Sequence, residues 1–211
     1  MESPTGTGKT LNLLCSSLAW LETERDTKMA CGLGVVPQIS NTDMVSSNDN
    51  FDMNARRCQI IYTSRTHSQL LQVMKEFRRT AYSTRFRAIA IGARDHLCLN
   101  GQVLKETNSS VRVNMCRAKV SARSCHYYNN LDKTEMTARQ ELCLDIEDLV
   151  KIGNKHTFCP YYMSKKLMPD YDVIFMPYNY VLSKAVICLG ILLLFHFVKY
   201  RFFLDEESQQ Y

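Results

Sequence analysis

Two groups of residues in this 211-residue chain have the types and spacing to do chemistry. The first is the run Ser3-Pro4-Thr5-Gly6-Thr7-Gly8-Lys9-Thr10. It follows the phosphate-loop rule, with Ser3 where many such loops carry glycine. In such a loop the backbone N–H groups surround the β-phosphate, Lys9 reaches the β and γ phosphates, and the Thr10 hydroxyl binds Mg²⁺. Gly6 and Gly8 keep side chains away from the approaching phosphates, and the helix into which the loop runs adds its positive end to the same anion site. The second group is Cys98, Cys116, Cys125 and Cys159, separated by 17, 8 and 33 residues. These are not the paired Cys-x-x-Cys knuckles usual for structural zinc, and four soft thiolates equally suit an iron–sulfur cluster. Spacing alone leaves zinc, a cluster and no metal open. Arg117 and Arg123 border the cysteines, placed to depress a thiol pKa or to face a phosphate backbone.

Positioning these groups requires a frame, and the hydrophobic pattern outlines one. Leu11, Leu14, Cys15, Leu18 and Leu21 share one helical face after the phosphate loop, which predicts a helix to about Glu24. From Arg25 to Asn54 the pattern gives way to a long polar loop to which no chemistry is assigned. Gln59 to Thr63 reads as a strand, Ser68 to Thr80 as an amphipathic helix through Leu70, Val73, Met74 and Phe77, and Arg87 to Ile91 as a second strand. A helix is expected from Glu135 to Val150 and a strand, Asp-Val-Ile-Phe-Met, from Asp172 to Met176. The fold class this predicts is α/β, a parallel sheet with a small, mostly helical module inserted between two strands. The last stretch, Ala185 to Val198, is fourteen residues without Lys, Arg, Asp or Glu. It is shorter than the roughly twenty residues of a spanning helix, so no stable membrane association is expected.

Charge is concentrated. The chain is net +5, but Arg56 to Arg123 holds fourteen basic and three acidic residues, net +11, and the remainder is net −6. A local field of that sign favours a polyanion such as DNA or RNA. Nine cysteines with no leader segment ahead of them predict a reducing compartment, where thiols serve as ligands or stay buried.

Four signatures in order resemble the iron–sulfur DNA helicases. They are the loop Ser3 to Thr10, the run Thr63-Ser64-Arg65-Thr66-His67-Ser68-Gln69, the four cysteines ending in Cys159-Pro160-Tyr161-Tyr162, and Ile174-Phe175-Met176-Pro177-Tyr178-Asn179-Tyr180. The resemblance implies a partial P-loop NTPase sheet of the RecA-like kind over residues 1–94 and 169–184. It also implies an inserted [4Fe–4S] domain over 95–168 and a divergent hydrophobic tail over 185–211. It further implies ATP and Mg²⁺ at Ser3, Gly6, Thr7, Gly8, Lys9 and Thr10. Single-stranded or branched DNA falls along Arg65, Thr66 and His67, with Arg117 added from the basic border of the cysteines. Cys98, Cys116, Cys125 and Cys159 become cluster ligands. The family acts in the nucleus in DNA repair, recombination and telomere maintenance.

Departures from the family pattern carry further expectations. Met1 leaves no room for a strand before the phosphate loop, and no Asp-Glu-Ala-His box follows Tyr180. Asp205-Glu206 lacks the Ala-His continuation. The chain is therefore expected to be a truncated piece of an ATP-dependent helicase that hydrolyses ATP negligibly. The competing expectation is a metal-containing module that binds single-stranded DNA without a motor cycle.

Overall fold

A computed structural model describes residues 8–32, 58–181 and 201–204. In chain order the principal elements are α1 (Lys9–Gly32), β1 (Ile60–Ser64), α2 (His67–Arg79), β2 (Ala88–Ala90), α3 (Arg94–Leu97), α4 (Gly101–Leu104) and α5 (Ser109–Ser121). They continue as α6 (His126–Asn129), α7 (Leu131–Arg139), β3 (Cys143–Leu144), α8 (Ile146–His156), α9 (Pro160–Leu167), β4 (Val173–Pro177), α10 (Tyr178–Val181) and β5 (Arg201–Leu204). The strands form one sheet in the order β3-β2-β4-β1-β5, and every pairing is parallel. Parallel strands need both faces covered, and every residue of β1, β2 and β4 is buried.

The period-2 alternation divides the core in two. Ile60, Tyr62, Ala88, Ala90, Val173 and Phe175 face one way and meet Leu14, Leu18 and Leu21 of α1 and Leu70, Val73, Met74 and Phe77 of α2. Ile61, Ile89, Ile174 and Met176 face the other way and pack with Leu149 of α8, Met163 and Leu167 of α9, and Phe158. The helical insertion is thus continuous with one face of the sheet, and its own strand β3 pairs with β2 at the sheet edge.

Helix α2 begins where a reciprocal cap stops the chain from remaining a strand. The Thr66 hydroxyl accepts the Gln69 N–H and the Gln69 side chain accepts the Thr66 N–H, both at 3.3 Å. The single helix expected from Glu135 to Val150 is two helices, α7 and α8, with β3 between them. Asp145 makes the break by accepting the Asp148 N–H at 2.7 Å as the cap of α8. Arg78 of α2 holds that corner, 3.1 Å from Asp145, paired with Asp148 and 3.3 Å from the Cys143 sulfur. Helix α1 continues eight residues beyond the expected Glu24, into the stretch expected as loop. Within the stretch expected as a tail, Arg201–Leu204 forms β5 beside β1. It ends directly before Asp205-Glu206, a pair outside the described residues.

Helix α8 ends on Thr157, whose φ of 56° and ψ of 41° lie in the left-handed region. That conformation costs a residue with a Cβ about 1–2 kcal/mol. Thr157→Gly is therefore expected to stabilise the fold by about 0.5–1 kcal/mol after glycine's added unfolded-state entropy. Urea unfolding checks it, and an unchanged or lower midpoint contradicts it.

Candidate metal centre and nucleic-acid interface

The four cysteines arrive from four different local settings. Cys98 ends α3, Cys116 is the one buried residue of α5, and Cys125 and Cys159 precede the first residues of α6 and α9. All four line one cavity together with Asn100, Tyr127, Tyr128 and Tyr162. Cys116, Cys125 and Cys159 are each 7% exposed, so the cavity is sheltered although it lies in a small, polar module. Among the described residues, no three His, Cys, Asp or Glu side chains converge closely enough to grip a single metal ion. What the four cysteines share is the cavity that they line.

Donors are aimed at these sulfurs. The backbone amide of Asn100 donates to Cys98, and those of Tyr162 and Tyr161, in the first turn of α9, donate to Cys159. The Asn100 side-chain amide is 3.7 Å from the Cys125 sulfur, and Cys116 is among the neighbours that act to raise the Arg94 pKa. Burial pushes the Cys159 thiol up to about 12, against the pull of the two amides, and the neighbouring Cys98 and Cys125 add to the rise. Burial likewise raises Cys98, with Cys116 and Cys125 contributing. Cys98 and Cys159 thus each feel two neighbouring cysteines, as groups gathered at one cavity do. Bringing four such groups together as thiolates requires a positive centre to displace their protons.

Arg94 is a candidate that motif reading passed over. Its guanidinium lies 4.1 Å from the ring centroid of Tyr161, donates to the Tyr162 hydroxyl at 3.4 Å and reaches Cys116. Tyr161 and Tyr162 directly follow Cys159-Pro160, so one arginine ties together the segments that carry three cysteines. An arginine four residues before a cysteine was the available signal, but nothing in one sequence says which ring it will stack upon.

The C-terminal edge of the sheet gathers the other candidates. Arg65 and Thr66 follow β1 and are exposed, α3 follows β2, and Tyr178 follows β4. Open parallel sheets present ligand groups at this edge. The Thr66 hydroxyl is occupied in capping α2, so its backbone role comes ahead of any phosphate contact. His67 is half-buried, its ring centroid 4.5 Å from that of His96 in an edge-to-face pair. Burial, then the neighbouring His96, lowers the His67 pKa below its ordinary value, so the neutral ring is favoured there. Arg117 is exposed on α5, on the same helix as Cys116.

Helix α1 runs against the strand direction. Its Arg25 reaches Asp172 just before β4, which places Lys9, sixteen residues earlier, roughly 24 Å away toward the opposite edge. Lys9 and Thr10 form its first turn, and Gly8 has φ +72°, a conformation suited to glycine. The Gly8 carbonyl accepts the Asn12 N–H at 2.9 Å. Ser3, Gly6 and Thr7 lie outside the described residues, as does the apolar run Ala185 to Val198. Among the described residues no helix is long and apolar enough to cross a membrane.

A parallel α/β sheet with helices on both faces and a helical insertion is consistent with a P-loop-type core. The chain belongs to the DEAD_2 family, whose model matches residues 62–189. It is 45% identical over 196 residues to Regulator of telomere elongation helicase 1 of Rattus norvegicus, covering 87% of this chain and 15% of that protein. The Bos taurus protein of the same name is 46% identical over 195 residues, covering 87% and 16%. The Drosophila ananassae homologue is 42% identical over 198 residues, covering 87% and 20%. The chain thus spans no more than about a fifth of the length of these relatives. At the level of the family, the relationship is to DNA helicases.

Proposed function

We propose that this chain is part of an ATP-dependent DNA helicase in which the four cysteines hold a [4Fe–4S] cluster. The observation that carries the reading is that Cys98, Cys116, Cys125 and Cys159, dispersed over four elements, line a single cavity. A [4Fe–4S] cluster offers a separate iron to each of four thiolates, the number of cysteines that line this cavity. Amide and guanidinium donors around the sulfurs are also the groups that hold a cluster's negative charge. When bound, the cluster would supply a rigid cross-link among α3, α5, α6 and α9.

In this reading, residues 1–94 and 169–184 belong to a RecA-like motor domain and 95–168 to the iron–sulfur module. Lys9 and Thr10, with Ser3, Gly6, Thr7 and Gly8, bind the ATP phosphates and Mg²⁺. Arg65, with Thr66 and His67 beside it and Arg117 on the module, grips single-stranded or branched DNA through its phosphates. Phosphate contacts without base readout are what a motor travelling over any sequence requires. The parent protein would act in the nucleus, in repair, recombination and telomere maintenance.

Anaerobic purification with iron and sulfide analysis tests the reading. The expected result is about four irons per chain with a broad visible absorbance. Cys116→Ser or Cys159→Ser is expected to remove most of that iron. One zinc per chain, or no metal, would sink the cluster assignment. The DNA assignment is checked by single-strand binding that weakens steeply with salt and is reduced by Arg65→Ala.

A further inference from the structure

We propose that His96 is a positioning residue that couples the cysteine cavity to the DNA grip, holding the ring of His67 so that filling the cavity and gripping single-stranded DNA strengthen one another. The inference rests on the reading above, that the cavity holds a cluster and that the Arg65–His67 segment meets DNA.

Helix α3 has four residues, and each is tied to a different neighbour. Arg94 reaches Tyr161, Tyr162 and Cys116. Asp95 pairs with Arg112 of α5. His96 packs against His67, the first residue of α2. Leu97 is fully buried in the core that the sheet shares with α8 and α9. The Cys98 N–H donates to the Arg94 carbonyl at 2.8 Å, so Cys98 moves with the helix. A one-turn helix anchored in this way shifts as a unit. Any displacement of Cys98 or Cys116 on binding a cluster therefore reaches His96.

The receiving side of the contact is poised to respond. His67 Nδ1 is buried and makes no hydrogen bond. At that side the ring has no hydrogen bond to fix it, and the His96 ring is its aromatic neighbour. His67 directly follows the exposed pair Arg65 and Thr66, so the ring's position bears on the backbone that presents them. Coupling through one edge-to-face contact is reciprocal, and its expected size is about fivefold in affinity.

The test uses the chain loaded with its cluster and oligo-dT as the single-stranded probe. A chelator draws out the iron, the visible absorbance follows the loss, and fluorescence anisotropy reports DNA occupancy in parallel. In the unmodified chain, saturating oligo-dT is expected to slow iron loss about fivefold. His96→Gln, which keeps a polar group and removes the ring, is expected to abolish that protection, and His96→Phe to restore it. His67→Gln probes the contact from the side away from the cysteines and is expected to abolish protection at saturation as well.

Full protection in both Gln variants overturns the proposal, as does DNA binding by the unmodified chain with no effect on iron loss. If anisotropy shows no DNA binding at all, the DNA reading itself fails and the coupling falls with it.

Discussion

Replacing Asp172 by alanine is expected to lower the unfolding free energy by about 3–5 kcal/mol, toward the lower end of that range. Asp172 is 2% exposed at the start of β4, and its carboxylate is bound from two sides. One oxygen accepts from the Arg25 guanidinium at 2.5 Å, the other from the Arg87 backbone N–H at 2.6 Å. The backbone at the same residue exchanges bonds with its neighbours, since the Asp172 N–H donates to Arg87 and its carbonyl accepts from Ile60. Removing the carboxylate leaves a buried N–H and an arginine without this partner while the surrounding backbone stays closed. The lower end applies because Arg25 is 32% exposed and water can solvate part of its charge. Asp172→Asn, which keeps an acceptor for Arg87, is expected to cost less than alanine. Urea unfolding of the three proteins decides it, and a loss under about 1 kcal/mol on alanine substitution would show that the pair is dispensable. The same pair holds the far end of α1 against the sheet, where Arg25 also lies 4.9 Å from the Phe86 ring centroid and Arg85 meets Glu22.

Gly153→Val is expected to destabilise by about 3 kcal/mol and to reduce the iron held per chain. A Cβ at Gly153 would lie 2.6 Å from Pro160 Cγ, and 3.1 Å from both Pro160 Cδ and the Phe158 carbonyl. The chain doubles back here, with the Thr157 and Phe158 N–H groups both donating to the Gly153 carbonyl. Phe158 is fully buried in the shared core and Cys159 is tied to Tyr127 by a backbone bond of 2.9 Å, so the returning segment has little room to yield. A branched side chain therefore displaces Pro160 and, with it, the cysteine beside it. Iron analysis alongside unfolding separates the two effects. Normal stability with normal iron content would contradict the account, and Gly153→Ala is expected to fall between the parent and the valine variant.

Much of the frame around these residues is legible in the sequence. The helix at Ser68 to Thr80 and the strands around Ile60, Ala88 and Val173 were legible because each carries its own periodicity, and the structure places α2, β1, β2 and β4 there. Periodicity failed between Glu135 and Val150, where the helical signal runs through a break made by the Asp145 cap and by Arg78, a partner distant in sequence. It also stopped α1 too early, because polar residues past Glu24 hide Arg25, whose partner Asp172 is 147 residues away. The strand Arg201–Leu204 was obscured as well, since four residues just past an apolar run are too few to show a period that distinguishes strand from helix.

The candidate site divides along a similar line. Residue types and order alone pointed to a phosphate loop, to the four cysteines, to the basic stretch and to the likeness to iron–sulfur helicases, because those signals are local or depend on counting. Spacing of 17, 8 and 33 residues left zinc, cluster and no metal undistinguished, since distance along a chain says nothing of distance through space. The fold brought the cysteines around one cavity, aimed the Asn100, Tyr161 and Tyr162 amides at their sulfurs, and set Arg94 and His96 between that cavity and the strand edge. Those contacts join residues far apart in sequence, and only the packing of the insertion onto the sheet face could create them.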